Sequence, residues 1–512
     1  MSPQVQTKKT KTKIQTEAPF TENAAPVVVT PEMTAQKAMV LSSFRVKNEI
    51  TAKQIEDALA DLCELVLEDQ PAIDTSTLNM IGDMIHQLDE KLTAQMDKIL
   101  HAPEFQKMES AWRGLNHLVM HSETDAQLKI GVMNASKREL SESLRMYPGA
   151  SWDQSPLFKI IYQNEYNMLG GQPFGCLVGD FEFSHHPQDV QLLRNLGRIA
   201  AAAHAPFYAS ASPELMNMDS WSELSKPRDI SKLFDSDAYA AWRSLRESED
   251  ACYIGLCLPR VLSRLPYGDK YDPISGFDYQ EDIEGATGNK FSWMNAVYPM
   301  AVNINRAFSY YGWTARIRGP ESGGLVEHLP AVTYLTDDGE VELKCPTEIA
   351  ISESRGVELD KAGLIAITHE KHSDRAVFMS AQSLSKPTSY INNKDATAAS
   401  HLRTRLPYVM VASRFAHYLK AMVRQKIGST MNRTQLNTWL ENWIMDYVHG
   451  APDMASESEK AMRPLAQARV ELVDDEENPG QYRARFYLVP HYQLEAMRVE
   501  LCLVARLPKP KG

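Results

Sequence analysis

Apolar and polar residues alternate strictly at two places near the end of the chain. In the first, Tyr482, Ala484, Phe486 and Leu488 share one face, with Arg483, Arg485 and Tyr487 on the other. In the second, Val499, Leu501 and Leu503 alternate with Arg498, Glu500 and Cys502. This period-2 pattern predicts two half-buried strands, which the connection 490–497 turns back on one another as a hairpin. A two-stranded hairpin is only marginally stable in water, so a third strand or a helix must lie beside it. Other stretches carry helical spacing. One stripe is Ile55, Leu59, Leu62 and Val66; another is Ile85, Leu88, Leu92, Met96 and Ile99, ending near Pro103. Residues 188–203 turn Val190, Leu193, Leu196 and Ile199 inward. Residues 409–427 form a long helix stopped by Gly428, and 434–448 a second, capped by Thr434 and heavily apolar through Leu436, Trp439, Leu440, Trp443 and Ile444.

Between about 128 and 389 short apolar runs alternate with helical ones. Residues 128–133, 174–181, 207–210, 252–258, 331–335 and 364–368 read as strands, so the expected core is a β-α-β sheet, buried and at least partly parallel. A polar Pro/Ser/Asn/Asp stretch at 386–399 suggests a boundary. The expected fold class is therefore multidomain, α/β and α+β. It comprises a flexible N-terminal arm and helix over 1–70, an α/β domain over 71–390, and an α+β domain over 391–512 ending in the hairpin. Within the arm, Val27, Val28 and Val29 stand between Pro26 and Pro31. They are either a strand without a local partner or chance valines in a disordered tail.

With 512 residues, two or three domains are expected. The formal charge of −12 argues against a general nucleic-acid binder, which needs a net or clustered basic surface. No apolar h-region follows the first residues and no run is apolar enough to span a bilayer, so neither secretion nor direct membrane insertion is expected. The six cysteines form no C-x-x-C pair and read as free thiols in a reducing compartment.

Candidate chemistry is sparse. His185, His186 and Asp189 follow a predicted strand, where α/β sheets usually bind ligands, and imidazole plus carboxylate suits zinc or iron. That makes a metal-dependent hydrolase the competing class; the simpler reading is a strand-to-helix loop with Pro187 in the first helical turn. His369 and His372 are one residue too close for H-E-x-x-H. The glycines near 170–175, 285–288 and 319–324 miss the spacings of the dinucleotide, P-loop and nucleophile-elbow motifs, and read as turns. No catalytic, cofactor or metal site is assigned. Arg414, Lys420 and Arg424 give the 413–426 helix a basic side, either a contact for an acidic partner or a solvated face.

A series of segments then resembles one family. They include Gly179-Asp-Phe-Glu-Phe-Ser-His-His-Pro-Gln-Asp189, Ala200-Ala-Ala-Ala-His-Ala-Pro-Phe207 and Leu258-Pro-Arg-Val-Leu-Ser-Arg-Leu-Pro-Tyr-Gly268. Gly323-Gly-Leu-Val-Glu-His-Leu-Pro330, Leu343-Lys-Cys-Pro-Thr-Glu-Ile349 and Ser413-Arg-Phe-Ala-His-Tyr-Leu-Lys420 continue it into the hairpin. Their order resembles the large sheath subunit of bacterial type VI secretion systems, the TssC/VipB family, over roughly residues 73–508.

The resemblance implies a structural protein of the bacterial cytoplasm without enzymatic activity, whose C-terminal domain is phage-tail-sheath-like. It implies pairing with a small sheath subunit (TssB/VipA), and helical polymerisation of neighbouring heterodimers around an Hcp inner tube. It further implies contraction on a baseplate and disassembly by the AAA+ ATPase ClpV, for which residues 47–67 are the nearest candidate segment. Sheath protomers of this family share a sheet built from terminal strands. On that basis Val27, Val28 and Val29 are expected to pair with a neighbour's hairpin through Phe486, Leu488, Val499, Leu501 and Leu503. Arg414, Lys420 and Arg424 are expected to face the tube. The remaining alternative is a soluble adaptor in a closed complex.

Overall fold

The computed structural model describes residues 77–168, 170–226, 229–283, 288, 290–335, 341–390, 393–426, 431–451, 454–474, 481–491 and 501–508. The chain divides into a unit ending at Lys91 and a second from Leu92 onward. Of the first unit, the described part is the front of helix α1 (Thr77–Leu100), formed where the expected stripe runs. The stripe's Ile85, Leu92 and Ile99 are exposed.

The second unit is built on a six-stranded sheet. Its strands are β1 (Leu177–Phe183), β2 (Phe207–Ala211), β3 (Ile254–Leu258), β4 (Leu325–Val326), β5 (Ile365–His369) and β6 (Ala376–Phe378), in the order β1-β2-β3-β5-β6-β4. The first four in that order run parallel, and β6 and β4 complete the sheet antiparallel. Every residue of β2 and β3 is buried, as continuous apolar runs in a doubly covered parallel sheet require.

Helices cover the two faces. After α2 (Pro103–Met120) and α3 (Lys137–Arg145), α4 (Pro187–Ala203) crosses from β1 to β2. It packs Val190, Leu193, Leu196 and Ile199 on one face of the sheet with Ile254, Leu256 and Leu258. The other face carries α5 (Val297–Tyr311), whose Val297, Met300 and Ile304 meet Tyr208, Cys257, Ile365 and Ile367. A side chain at Gly114 of α2 would overlap the Tyr298 ring, so glycine sets the approach of α2 to α5.

The third layer begins with α6 (Leu406–Lys426), which carries Pro407 in its first turn, where no intrahelical N–H is needed. Its Leu406 and Met410 belong to the sheet's second core, and its Val411, Phe415 and Leu419 to a separate C-terminal core. There they meet Leu436, Leu440 and Ile444 of α7 (Arg433–Met445) and an antiparallel three-stranded sheet. That sheet consists of β7 (Leu465–Asp474), β8 (Gln481–Pro490) and β9 (Leu501–Pro508), in chain order.

Several expectations change. Residues 128–133 form no strand, and among the described residues β1 stands at the edge of the sheet with β2 as its one ladder neighbour. Among the described residues Thr333–Leu335 pairs with Val341–Leu343 in a separate two-stranded sheet, outside the central one. Asn432, not Thr434, caps α7, because Gln435 returns the hydrogen bond and completes a capping box. The expected stop at Gly428 lies outside the described residues.

The loop between β3 and α5 is fixed by a buried ion network absent from any spacing. Arg264 donates to Glu281 at 2.6 and 3.0 Å and to Glu109 of α2 at 2.6 Å, while Arg113 reaches Glu109 at 2.7 Å. Burial alone would raise the Glu109 carboxyl, but hydrogen bonds from Arg264 and Arg113 hold it below its usual value. Arg264 and Glu281 are each 8 % exposed, so removing Arg264 strips Glu281 of its guanidinium, and removing Glu281 leaves Arg264 with Glu109 as its one remaining carboxylate in the network. Arg264→Met or Glu281→Gln is expected to lower unfolding stability by about 3–5 kcal/mol, read from denaturant midpoints. A loss below about 1 kcal/mol would show that this loop is held by other contacts.

Candidate functional site

The expected docking residues occupy different positions in the C-terminal sheet. Phe486 and Leu488 lie on β8, the middle strand. Phe486 faces Val470 of β7 on one side and Leu503 of β9 on the other, and Leu488 faces Ala468 and Leu501. Both side chains are buried in the C-terminal core. The expectation that Phe486 and Leu488 pair with another protomer is therefore corrected, since their main-chain ladder is filled on both sides by the chain's own strands. Leu501 and Leu503 lie on β9, an outer strand whose single pairing neighbour among the described residues is β8. Val499 and the arm residues Val27, Val28 and Val29 lie outside the described residues.

The strand that sequence reading missed is β7. Its signal was present: Ala468, Val470 and Leu472 alternate with Arg469 and Glu471 just ahead of the acidic run. Tyr487 donates to Glu471 across the polar face at 3.3 Å. The third strand required beside the hairpin is supplied within the chain, and β7 and β9 are the outer strands.

The basic side of α6 also has another use. Lys420 hydrogen-bonds the Tyr162 hydroxyl and lies 4.3 and 4.2 Å from the Tyr162 and Tyr166 ring centres. Arg424 donates to the Met168 carbonyl at 2.9 Å. Arg414 stacks over Phe308 and Tyr418 at 5.1 and 4.7 Å. All three are half-buried, and within the chain these cations tie α6 to the sheet-domain helices.

Between them, His417 is 5 % exposed, and its Nε2 donates to the Ala203 carbonyl at the end of α4, 3.0 Å away. Burial pushes this imidazole down to about 3, with His204 and Arg414 acting in the same sense. His204 closes α4 in a left-handed conformation at φ 50° and places Nδ1 3.2 Å from the Tyr253 hydroxyl. Its ring is held neutral as well, pushed down to about 4 by burial and by Lys420.

The histidine and carboxylate group after β1 is structural. Asp189 accepts from the Ser184 amide and hydroxyl at 2.8 and 2.9 Å and pairs with Lys137 at 2.7 Å. His185 bonds the Glu214 carbonyl and stacks on Tyr239, and Pro187 sits in the first turn of α4. Among the described residues no three His, Cys, Asp or Glu side chains gather as a metal site, and no helix is long and apolar enough to cross a membrane.

The described residues form a doubly covered sheet joined by one long helix to a small α+β layer with two outer strands. Comparison with known proteins identifies the family. Residues 82–385 match the VipB family model described as EvpB/VC_A0108, tail sheath N-terminal domain, and residues 395–507 match the companion tail sheath gpW/gp25-like domain. The chain is 51% identical over 492 residues to the type VI secretion system sheath protein TssC1 of Pseudomonas aeruginosa, covering 96% of this chain and 99% of that protein. The chain belongs to the VipB/TssC family of type VI secretion sheath large subunits. Its members are structural sheath subunits, not enzymes, and the hydrolase alternative is set aside.

Because His417 is neutral in the folded chain, the unfolded chain binds the extra proton once pH falls through about 6.5. Stability is therefore expected to be complete above that pH and to drop by a few kcal/mol as pH falls toward 4, with His204 contributing in the same direction. His417→Gln, which keeps a donor for Ala203, should flatten the dependence of the unfolding midpoint between pH 7 and 5. An unchanged slope would assign the acid sensitivity elsewhere.

Proposed function

We propose that this chain is the large subunit of a contractile sheath in the bacterial cytoplasm, pairing with a small sheath subunit of the TssB/VipA kind. The heterodimers polymerise helically around an Hcp inner tube on a baseplate and contract to drive the tube outward. ClpV then recovers the subunits, with residues 47–67 the candidate recognition segment. The single observation that carries this reading is the 51% identity to a sheath protein across 96% of the chain. The division into segments 1–70, 71–390 and 391–512 belongs to the same proposal.

The link between protomers is proposed as strand addition. Val27, Val28 and Val29 of one copy would lie along an outer strand of the neighbour's C-terminal sheet, with β9 and its Leu501 and Leu503 the preferred edge. Three or four added main-chain hydrogen bonds at about 0.5–1.5 kcal/mol each give only a few kcal/mol per link, so such links act through repetition. Heterologous contacts that repeat without closing generate filaments.

Co-production with the small subunit, followed by negative-stain microscopy, is expected to show helical filaments. Discrete closed particles would favour the adaptor reading instead. Removing residues 1–31 should abolish or shorten the filaments while leaving the heterodimer intact; undiminished filaments would exclude the arm as the connecting strand.

A further inference from the structure

At the end of the C-terminal sheet where Leu465 of β7 faces Pro490 of β8, a narrow cleft opens between that sheet and the loop following α5. Arg316, Arg318, Tyr408, Lys460, Pro464 and His491 line it, and none of its lining residues is acidic. Arg316 is held in place, donating to the Glu321 carbonyl at 2.5 Å and lying 5.5 Å from the Tyr311 ring centre. Lys460 has a carboxylate neighbour outside the cleft, Glu457 at 3.3 Å. Arg318 is half-buried and has no hydrogen-bond or ion-pair partner among the described residues. Nε2 of His491 is buried without a partner, and that ring is held below its usual value by burial and by the charge of Lys460. The free space is about 30 Å³, room for one small polar head but not for a nucleotide or a metabolite. A partly desolvated guanidinium beside a buried unpaired imidazole nitrogen is suited to a single carboxylate.

The opposite end of the same sheet carries the complement. β7 closes with Asp474 facing Tyr482, and the sequence there reads Asp474-Asp-Glu-Glu477. Along a ten-residue strand the two ends are about 30 Å apart, so Asp474 stands far from its own chain's cleft. We propose that the cleft receives an acidic side chain from the run 474–477 of a second copy of this chain, joining copies head to tail. Complementary surfaces at opposite ends of one rigid element make a heterologous contact, which propagates as an open series. A series of copies is what the sheath reading requires, and this inference rests on that reading. The chain's −12 charge makes unguided contact between copies repulsive, so a basic cleft aimed at one acidic run also selects the register in which they meet.

The test is charge reversal in the full chain co-produced with the small sheath subunit, with filament mass and length measured by sedimentation and microscopy. Arg318→Glu alone, and Glu476→Lys with Glu477→Lys, are each expected to lower filament mass by about fivefold or more. Combining the two reversals should restore it to within about twofold. Arg318→Gln, the milder change, should give a smaller loss and weaken the dependence of assembly on salt. Restoration by the combined variant also answers any concern that the single reversals fail to fold. Wild-type filament yield from Arg318→Glu, or losses in both single variants that the combination does not restore, would overturn the inference while leaving the sheath reading in place. Absence of filaments from the wild-type chain would overturn both.

Discussion

Two strands at the centre of the molecule, β2 and β3, are buried at every residue. Their main-chain groups are satisfied by parallel neighbours, and both faces must be roofed by apolar surface. Most of the architecture follows from that requirement. The α4 helix and the layer around it supply one roof; α2, α5 and the first turns of α6 supply the other. Gly255 of β3 leaves the space that Leu406 of α6 occupies, since a side chain there would press on both Leu406 and Tyr208. The C-terminal layer is thus joined through a helix whose beginning is part of the central core.

The same helix supplies the floor of the small C-terminal layer. Phe415 lies 4.6 Å from the Trp313 ring centre and makes edge contacts with Trp443 and Tyr447. Trp313, in the loop after α5, comes from the sheet-domain part of the chain, so the C-terminal core is closed by a residue about a hundred or more positions upstream of its neighbours. Polar contacts repeat this tie, with His417 on the Ala203 carbonyl and Lys420 over two tyrosine rings.

What was legible in the sequence was local. Alternation marked β8 and β9, helical spacing marked α4, α6 and α7, and the apolar runs marked β2, β3 and β5. The sequential likeness pointed to the sheath family, which the comparisons bear out. What escaped depended on distant partners. The intrachain contacts of the α6 cations were not legible because the rings beneath Lys420 come from residues 162 and 166, far earlier in the chain. The central position of β8 was hidden because β7, with its smaller alanine and valine side chains, was passed over beside the louder acidic run. The segment 128–133 had a strand's pattern but does not join the sheet. The Arg264 network unites residues 109, 264 and 281, which no spacing rule connects.

The length of α6 has a mechanical consequence. Its 21 residues form a rod about 30 Å long, embedded at one end beneath β3 and at the other beneath β8. A pull on the outer strands of the C-terminal sheet is carried along that rod into the central sheet. The chain's own packing along the rod then resists in shear, many contacts at once, instead of peeling open contact by contact. The two layers therefore transmit load through one shared helix.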